Sequence, residues 1–394
     1  MAVAALAFSG GLDTSYAVLA LRREGYDVVT VTVDTGGFGP DDLTSIEARA
    51  LAVGALEHVV VHARQAVYDH FFSTLIRGNV LRGGVYPVAV GAERFVQAEA
   101  LVATARERGC TVLAHGCTGA GNDQVRFDVA LRALAPGMEL LAPIRDGEVT
   151  REQSTAALRE AGIEIPPRET RYSINAGLVG TTVGGGATHD PWEEIPEEAF
   201  EEAGSRIDPA AKGGPLTLAF SKGLPTALDG EALKPLDLLA RLDARARPLG
   251  IGRGVHLGDT VLGIKGRIGF VAPAATLLIA AHRELEKLVL TKRQRAFKDS
   301  AARTYGDLLH EGLYLDPVCR DIERLLVSSQ ERVEGEARLR LHPRGFAVTG
   351  VRSPKALMHA GARYGEESSL WDGRDAAGFA KLFGLQARIA KERE

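Results

Sequence analysis

Seven residues near the start of the chain, Ser9-Gly10-Gly11-Leu12-Asp13-Thr14-Ser15, lie between an apolar run from Val3 to Phe8 and a helical pattern that begins at Tyr16. A buried strand that ends in a glycine turn and opens a helix leaves several backbone N–H groups unpaired. It aims them, with the positive end of the helix dipole, at one point. That is a cradle for an anion, and the usual guest is a phosphate. Gly10 and Gly11 let the backbone come close, while Ser9, Thr14 and Ser15 add hydroxyl donors. Asp13 suits such a cradle chiefly if a Mg²⁺ ion lies between its carboxylate and the phosphate. The turn has neither Walker spacing nor the G-x-G-x-x-G of a dinucleotide fold. No lysine precedes Lys212, so backbone amides, hydroxyls, arginines and metal must carry the phosphate charge.

A second loop, His115-Gly116-Cys117-Thr118-Gly119-Ala120-Gly121-Asn122-Asp123-Gln124-Val125-Arg126, follows a strand pattern and precedes a helical one. Its chemistry suits an amino acid: Asp123 for an ammonium, Thr118, Asn122 and Arg126 for carboxylates. The plainer alternative is a loop that merely caps a helix beginning at Gln124.

The elements that must position these loops alternate. Strand patterns at 28–33, 58–62, 111–114 and 139–143 interleave with helical ones at 43–54 and 92–108. The order implies an α/β fold with a doubly wound, Rossmann-like parallel sheet. Ligands of such sheets bind outside the carboxyl ends of the strands, so the turns at Ser9, at Asp34-Thr35-Gly36-Gly37 and at His115 are expected on one edge. The texture then changes. Pro166-Pro167, the Gly-rich stretch 177–186 and Asp190-Pro191-Trp192 read as linkers and loops. Strands at 216–220 and 260–264, a helix at 272–290 and a hairpin at 338–351 suggest a second, α+β domain. Residues 376–394 read as a helical tail. The expected division is 1–165, 166–370 and 371–394.

With 394 residues, 45% hydrophobic, 25% charged and a net charge of −4, the chain has ample core and no basic surface for nucleic acid or anionic membrane. No membrane span, export signal, disulfide framework or zinc site is expected, and the three cysteines point to the cytoplasm.

The pattern S-G-G-x-D-[ST]-S is similar to the pyrophosphate loop of the N-type ATP pyrophosphatases. Together with the His115 loop it closely resembles argininosuccinate synthase, a resemblance that extends to Tyr86, Tyr172-Ser173-Ile174, Asp190-Pro191-Trp192, Gly250-Ile251-Gly252-Arg253, Ala281-His282-Arg283 and Ser329-Gln330-Glu331-Arg332. The resemblance implies a carbon–nitrogen ligase with a nucleotide-binding domain, a synthetase and multimerisation domain, and a homotetramer. In that reaction the ureido oxygen of citrulline attacks the α-phosphorus of MgATP, and the aspartate amine then displaces AMP. It implies no prosthetic group. Carried over, Ala7, Phe8 and Ser9 to Ser15 hold ATP with Val33 and Gly116; Thr118, Asn122 and Asp123 hold aspartate; Tyr86, Asn122, Arg126, Ser173 and Thr182 hold the acceptor. Asp13, Asp123 and Arg126 are the expected catalytic residues.

The departures from the family pattern cluster on the acceptor side. Val90-Gly91 replace a Thr-Ser pair, Gly258 a glutamate, Phe270 a tyrosine, Val271 and Gly184 acids, Ala120 a lysine and Gly37 a glutamine. Three readings follow: a true synthase with a rebuilt pocket, a paralogue joining aspartate to another acceptor, or a non-catalytic nucleotide-binding homologue.

Overall fold

The computed structural model describes residues 2–163 and 172–394. The expected Pro166-Pro167 linker, and with it the first domain boundary, lies outside the described residues. Five strands form the first sheet: β1 (Val3–Ala7), β2 (Asp27–Asp34), β3 (Glu57–His62), β4 (Val112–His115) and β5 (Glu139–Leu141). All neighbours are parallel, in the order β3-β2-β1-β4-β5. β2 is buried from Val28 to Asp34, which explains why it reads as an unbroken Val/Thr run rather than an alternation. The chain winds outward from β1 to β2 and β3 on one side, and from β4 to β5 on the other. The switch point therefore falls between β1 and β4, where Ala7 pairs with Val31 on one side and His115 on the other.

The second half builds two antiparallel sheets. One contains β8 (Gly214–Ser221), β9 (Leu224–Leu228), β10 (Glu231–Ala232), β13 (Gly335–His342) and β14 (Gly345–Arg352), ordered β10-β9-β8-β13-β14. The other contains β6 (Ser173–Ala176), β7 (Thr181–Gly184), β11 (Arg253–Asp259) and β12 (Lys265–Val271), ordered β11-β12-β7-β6. The helix expected at 272–290 is Pro273–Val289, and the hairpin expected at 338–351 is β13–β14.

Two expectations need correction. The stretch 177–186 is not all loop: Thr181, Thr182 and Val183 are buried β-branched residues that pair with both β6 and β12, and glycine on either side masked them. Conversely, 260–264 is not a strand but the tip of the β11–β12 hairpin, closed by Thr260 N–H to the Ile264 carbonyl at 2.8 Å. Its Leu262 and Ile264 are exposed, so apolar composition there marks a surface and not a core.

One hydrophobic cluster runs through both halves. At its centre the Phe71 ring packs edge-on against Phe95 and Tyr314, with centroids 6.0 and 4.5 Å away. The tail forms helices Gly373–Phe383 and Leu385–Lys391, with Phe379, Leu382 and Phe383 exposed. Among the described residues no helix is long and apolar enough to cross a membrane. Because Phe71 is fully buried and shared between the halves, Phe71→Ala is expected to cost about 3–5 kcal/mol of stability. Urea unfolding of the variant against the parent measures it.

Candidate active site

Glycine at the end of β1 lets the chain turn directly into the helix Leu12–Arg23, whose N-cap is Gly11. The helix starts earlier than the sequence pattern suggested, so Asp13, Thr14 and Ser15 form its first turn. Thr14 fastens that turn: its hydroxyl donates to the Gly11 carbonyl at 3.3 Å and accepts from the Ser9 amide at 3.4 Å. Ser15 is fully buried and its hydroxyl has no partner among the described residues; its amide bonds to the Gly11 carbonyl at 3.0 Å. Arg49, from the helix Pro40–Ala52, donates to the Gly10 carbonyl. Burial pushes the Asp13 carboxyl up from its ordinary pKa, and the charge of Arg151 opposes the shift. A cation beside Asp13 would relieve that cost.

Next to this turn runs the loop after β4. A Cβ on Gly116 would stand 3.0 Å from Thr14 Cγ2 and 3.1 Å from its Cα, so only glycine allows the two loops to pass so closely. Phe8 and Val33 are buried alongside, with the Phe8 amide donating to the Val31 carbonyl at 2.9 Å. The three strand-end turns gather at one edge, as expected of this topology.

The His115 loop is braced from below. The Cys117 amide donates to His115 Nδ1 at 3.3 Å, so Nε2 carries the proton that faces Asp128 at 2.8 Å. Arg145 donates to Asp128 at 3.0 Å. The helix that follows begins at Asn122, not Gln124. This places Asp123 in its first turn and Arg126 one turn on, and they pair at 2.9 Å. Arg94, from the helix Glu93–Glu107, reaches the other Asp123 oxygen at 2.8 Å. Desolvation opposes ionisation of Asp123, but the two guanidiniums outweigh it and hold the carboxyl at about 2. Thr118 is exposed at the loop's crest. Asn122 Oδ1 accepts from the Val261 amide at 2.9 Å, so the β11–β12 tip from the second half closes over this loop.

The acceptor-side residues are brought together less simply. Arg126 is buried, and beyond Asp123 it bonds to the His310 carbonyl at 2.8 Å and lies 3.2 Å from His310 Nδ1. Tyr86 is buried, stacked on His256 at 5.6 Å and packed on Phe270 at 5.4 Å, and its hydroxyl accepts from the Val90 amide at 3.4 Å. Burial pushes this phenol up to about 12. Ser173 is exposed on β6, and Thr182 is buried on β7, paired with Asn175 and Phe270. Val90, Gly91, Gly258 and Phe270, four of the positions expected to depart from the family pattern, fall here, and two histidines occupy the region. A Cβ on Gly258 would come within 2.7 Å of His256 Nε2. His310 is held neutral, its pKa drawn down to about 3 by burial and by Arg126 and Arg82.

Sequence reasoning missed Arg94, His310 and the Val261 amide. Arg94 sits inside an ordinary helical pattern, and the other two approach from more than a hundred residues away, so no local spacing signals them.

The first sheet and its switch-point loops define a nucleotide-binding domain, and residues 3–164 match the family description "Arginosuccinate synthase N-terminal HUP domain". Residues 172–390 match "Arginosuccinate synthase C-terminal domain". The chain is 41% identical to "Argininosuccinate synthase" of Xanthomonas campestris pv. campestris, over 98% of this chain and 97% of the relative. It is 39% identical to that of Dehalococcoides mccartyi strain 195 (98% and 95%) and 35% identical to that of Ligilactobacillus salivarius (98% and 96%). The chain belongs to the argininosuccinate synthase family.

Gly116→Ala, by forcing the two loops apart, is expected to raise the KM for ATP about tenfold, or ~1.4 kcal/mol. Initial-rate kinetics with ATP varied and the other substrates saturating check it.

Proposed function

We infer that this protein is an ATP-dependent carbon–nitrogen ligase that joins citrulline to aspartate and releases AMP and pyrophosphate. The observation that carries the reading is the close passage of the Ser9–Ser15 turn and the His115–Arg126 loop at the switch point, permitted by Gly116. One loop suits a triphosphate and the other an amino acid, and the reaction needs both within bonding distance of one carbon. Full-length relatives bearing the synthase name speak against a different acceptor and against a purely regulatory homologue. A thiolate mechanism is disfavoured as well, since burial, with the nearby Asp123 charge, pushes the Cys117 thiol up to about 12.

In this reading the amides at the start of the helix Leu12–Arg23 and the hydroxyls of Ser9 and Thr14 receive the phosphates, with Val33 and Gly116 beside the nucleotide. A Mg²⁺ ion carried by ATP would be held by the Asp13 carboxylate, whose burial a neighbouring cation would offset, and would neutralise charge on the phosphates. Attack by the ureido oxygen on the α-phosphorus expels pyrophosphate and makes AMP the leaving group. Asp123, Arg94 and Arg126 together carry a net charge of +1, two guanidiniums against one carboxylate. That balance attracts substrate carboxylates and disfavours an ammonium, so it favours the neutral aspartate amine that must attack. Thr118 and Asn122 would hold aspartate, and Tyr86, Asn122, Arg126, Ser173 and Thr182 the acceptor.

The exposed apolar face of the tail, Phe379, Leu382 and Phe383, supports docking on a second copy within a tetramer, and we place the enzyme in the cytoplasm. Removing residues 371–394 is expected to lower the molar mass in light scattering from the tetramer value. An unchanged mass would overturn that assignment. For the reaction, incubation with MgATP, citrulline and aspartate should yield AMP, pyrophosphate and argininosuccinate in equal amounts, whereas AMP formation with some other acceptor and not with citrulline would sink the reading. Asp13→Ala should slow AMP release by at least about 100-fold, scored in the same assay.

A further inference from the structure

The helix Glu93–Glu107 opens on a carboxylic acid that the reaction as described does not use. Glu93 is 1% exposed. Its Oε2 accepts from the Thr35 hydroxyl at 2.8 Å, while Oε1 meets no donor at good hydrogen-bond geometry among the described residues, the Leu178 and Val179 amides standing nearby. Thr35 belongs to the turn that ends β2, one of the three strand-end turns of the first sheet. The other side of the carboxyl faces the turn between β6 and β7. There a Cβ on Gly177 would stand 2.0 Å from Oε1 and 2.1 Å from Oε2, so any other residue would displace the acid. The backbones of the two turns also touch. The Leu178 amide donates to the Thr35 carbonyl at 2.8 Å. A Cβ on Gly36 would stand 2.9 Å from that amide nitrogen, and one on Gly37 2.3 Å from the Ala176 carbonyl oxygen. Glycine at three places thus lets the β2 turn and the β6–β7 turn press together around one buried acid.

We propose that Glu93 is a positioning residue: by clasping Thr35 and the 177–179 turn together it sets the distance between the strand-end loops that hold ATP and aspartate and the β6–β7 hairpin that holds the acceptor. Two observations tie the clasp to the chemistry. Ser173 and Thr182, the acceptor-side residues of the hairpin, lie on the two strands that this turn connects. The next residue, Arg94, extends the same span, donating to Asp123 at 2.8 Å and to Asn175 on β6 at 3.5 Å. A clasp formed by one helix turn to both the aspartate loop and the acceptor hairpin is what near-attack geometry requires, because a shift of about 1 Å between reactants costs on the order of 100-fold in rate.

The charge state of the acid follows from its surroundings. Burial pushes the Glu93 carboxyl up to about 8, against the Thr35 hydroxyl, the Arg94 charge and the amides of Leu178 and Val179. The charged and titratable groups facing it are Arg94 from its own helix and Tyr86 from the preceding loop; one step further on stand Asp123, paired to Arg94, and Arg126, paired to Asp123. A raised acid pKa means that the folded state holds a proton which the unfolded state gives up above its ordinary value of 4.5. The stability this contributes is complete below about 4.5 and is lost as pH rises through about 8. Ionisation also adds one negative charge beside the net +1 of the Asp123 cluster, so substrate carboxylates are held less well on the alkaline side.

The role of Glu93 rests on the ligase reading above, and the test separates the two. In the full-length enzyme, Glu93→Gln keeps an acceptor for Thr35 and removes the titration, Glu93→Ala removes the clasp, and Thr35→Val removes its hydroxyl. At pH 7 the Ala variant is expected to raise the KM for citrulline about tenfold and to lower kcat, with the KM for ATP within about twofold of the parent. The Gln variant should restore citrulline KM to within about threefold, and Thr35→Val should fall between. The parent-to-Gln ratio of kcat/KM for citrulline should decline between pH 7 and 9, a comparison in which the titration of the substrates cancels. Equal losses in ATP and citrulline KM for Glu93→Ala, no rescue by Gln, or a flat pH ratio would each overturn the proposal. If Glu93→Ala does not fold, the Gln and Thr35→Val variants still decide it. Hydrogen exchange at Leu178 and Val179 gives a readout without turnover. Relative to Glu93→Gln it should accelerate in the parent above about pH 8, and no difference would refute the clasp. If the parent itself releases no AMP with citrulline, the ligase reading falls, while the exchange result still stands for the clasp.

Discussion

The position of Ala7 constrains everything else at the site. It ends β1 with parallel partners on both sides, Val31 and His115, and the chain leaves both β1 and β4 at the same height. Two loops of different chemistry therefore emerge side by side at the switch point, and each turns straight into a helix whose first amides have no partner within it. The sheet register, more than any single side chain, brings the Ser9–Ser15 turn and the His115–Arg126 loop together. Gly116 then removes the last steric obstacle between them.

The site's electrostatics are built almost wholly from guanidiniums. Arg49 secures the Gly10 carbonyl, Arg151 lies near Asp13, and Arg94 and Arg126 flank Asp123. Planar, fork-shaped donors suit carboxylates and phosphates alike, and their pairing with Asp123 keeps that residue ionised although it is desolvated. On the acceptor side, neutral His310 and His256 occupy the region where the sequence departs from its family. There Tyr86 stacks on His256 and packs on Phe270, while Arg126 keeps its ion pair with Asp123.

How much of this was legible in the sequence depended on locality. β2 stood out because a strand buried on both faces is β-branched throughout, and the two loops stood out because glycine, hydroxyl and acid residues crowded between a strand and a helix. The hairpin tip at 260–264 was misread since its Val, Leu and Ile serve a surface that closes on Asn122. β7 was hidden by flanking glycines. Arg94 was invisible for a different reason: its partner lies 29 residues on, across the site, and a helix face of mixed polarity gives no hint of that. The Ser9–Ser15 turn is a local structure and can be read from neighbours in sequence; the surroundings of Tyr86 and Arg126 are assembled from stretches far apart in the chain, around Thr182, Phe270 and His310, and cannot.

The absence of lysine before Lys212 has a consequence for the chemistry this half of the protein withstands. An adenylated ureido group reacts with free amines to give guanidines, and the proposed reaction generates such an intermediate against the walls of the site. A nucleotide-binding half whose side-chain cations are all guanidiniums, apart from protonated histidine, offers that intermediate no side-chain amine to capture. Within this half no lysine stands to be converted to a guanidine by the intermediate, and the arginines that are present already carry that group.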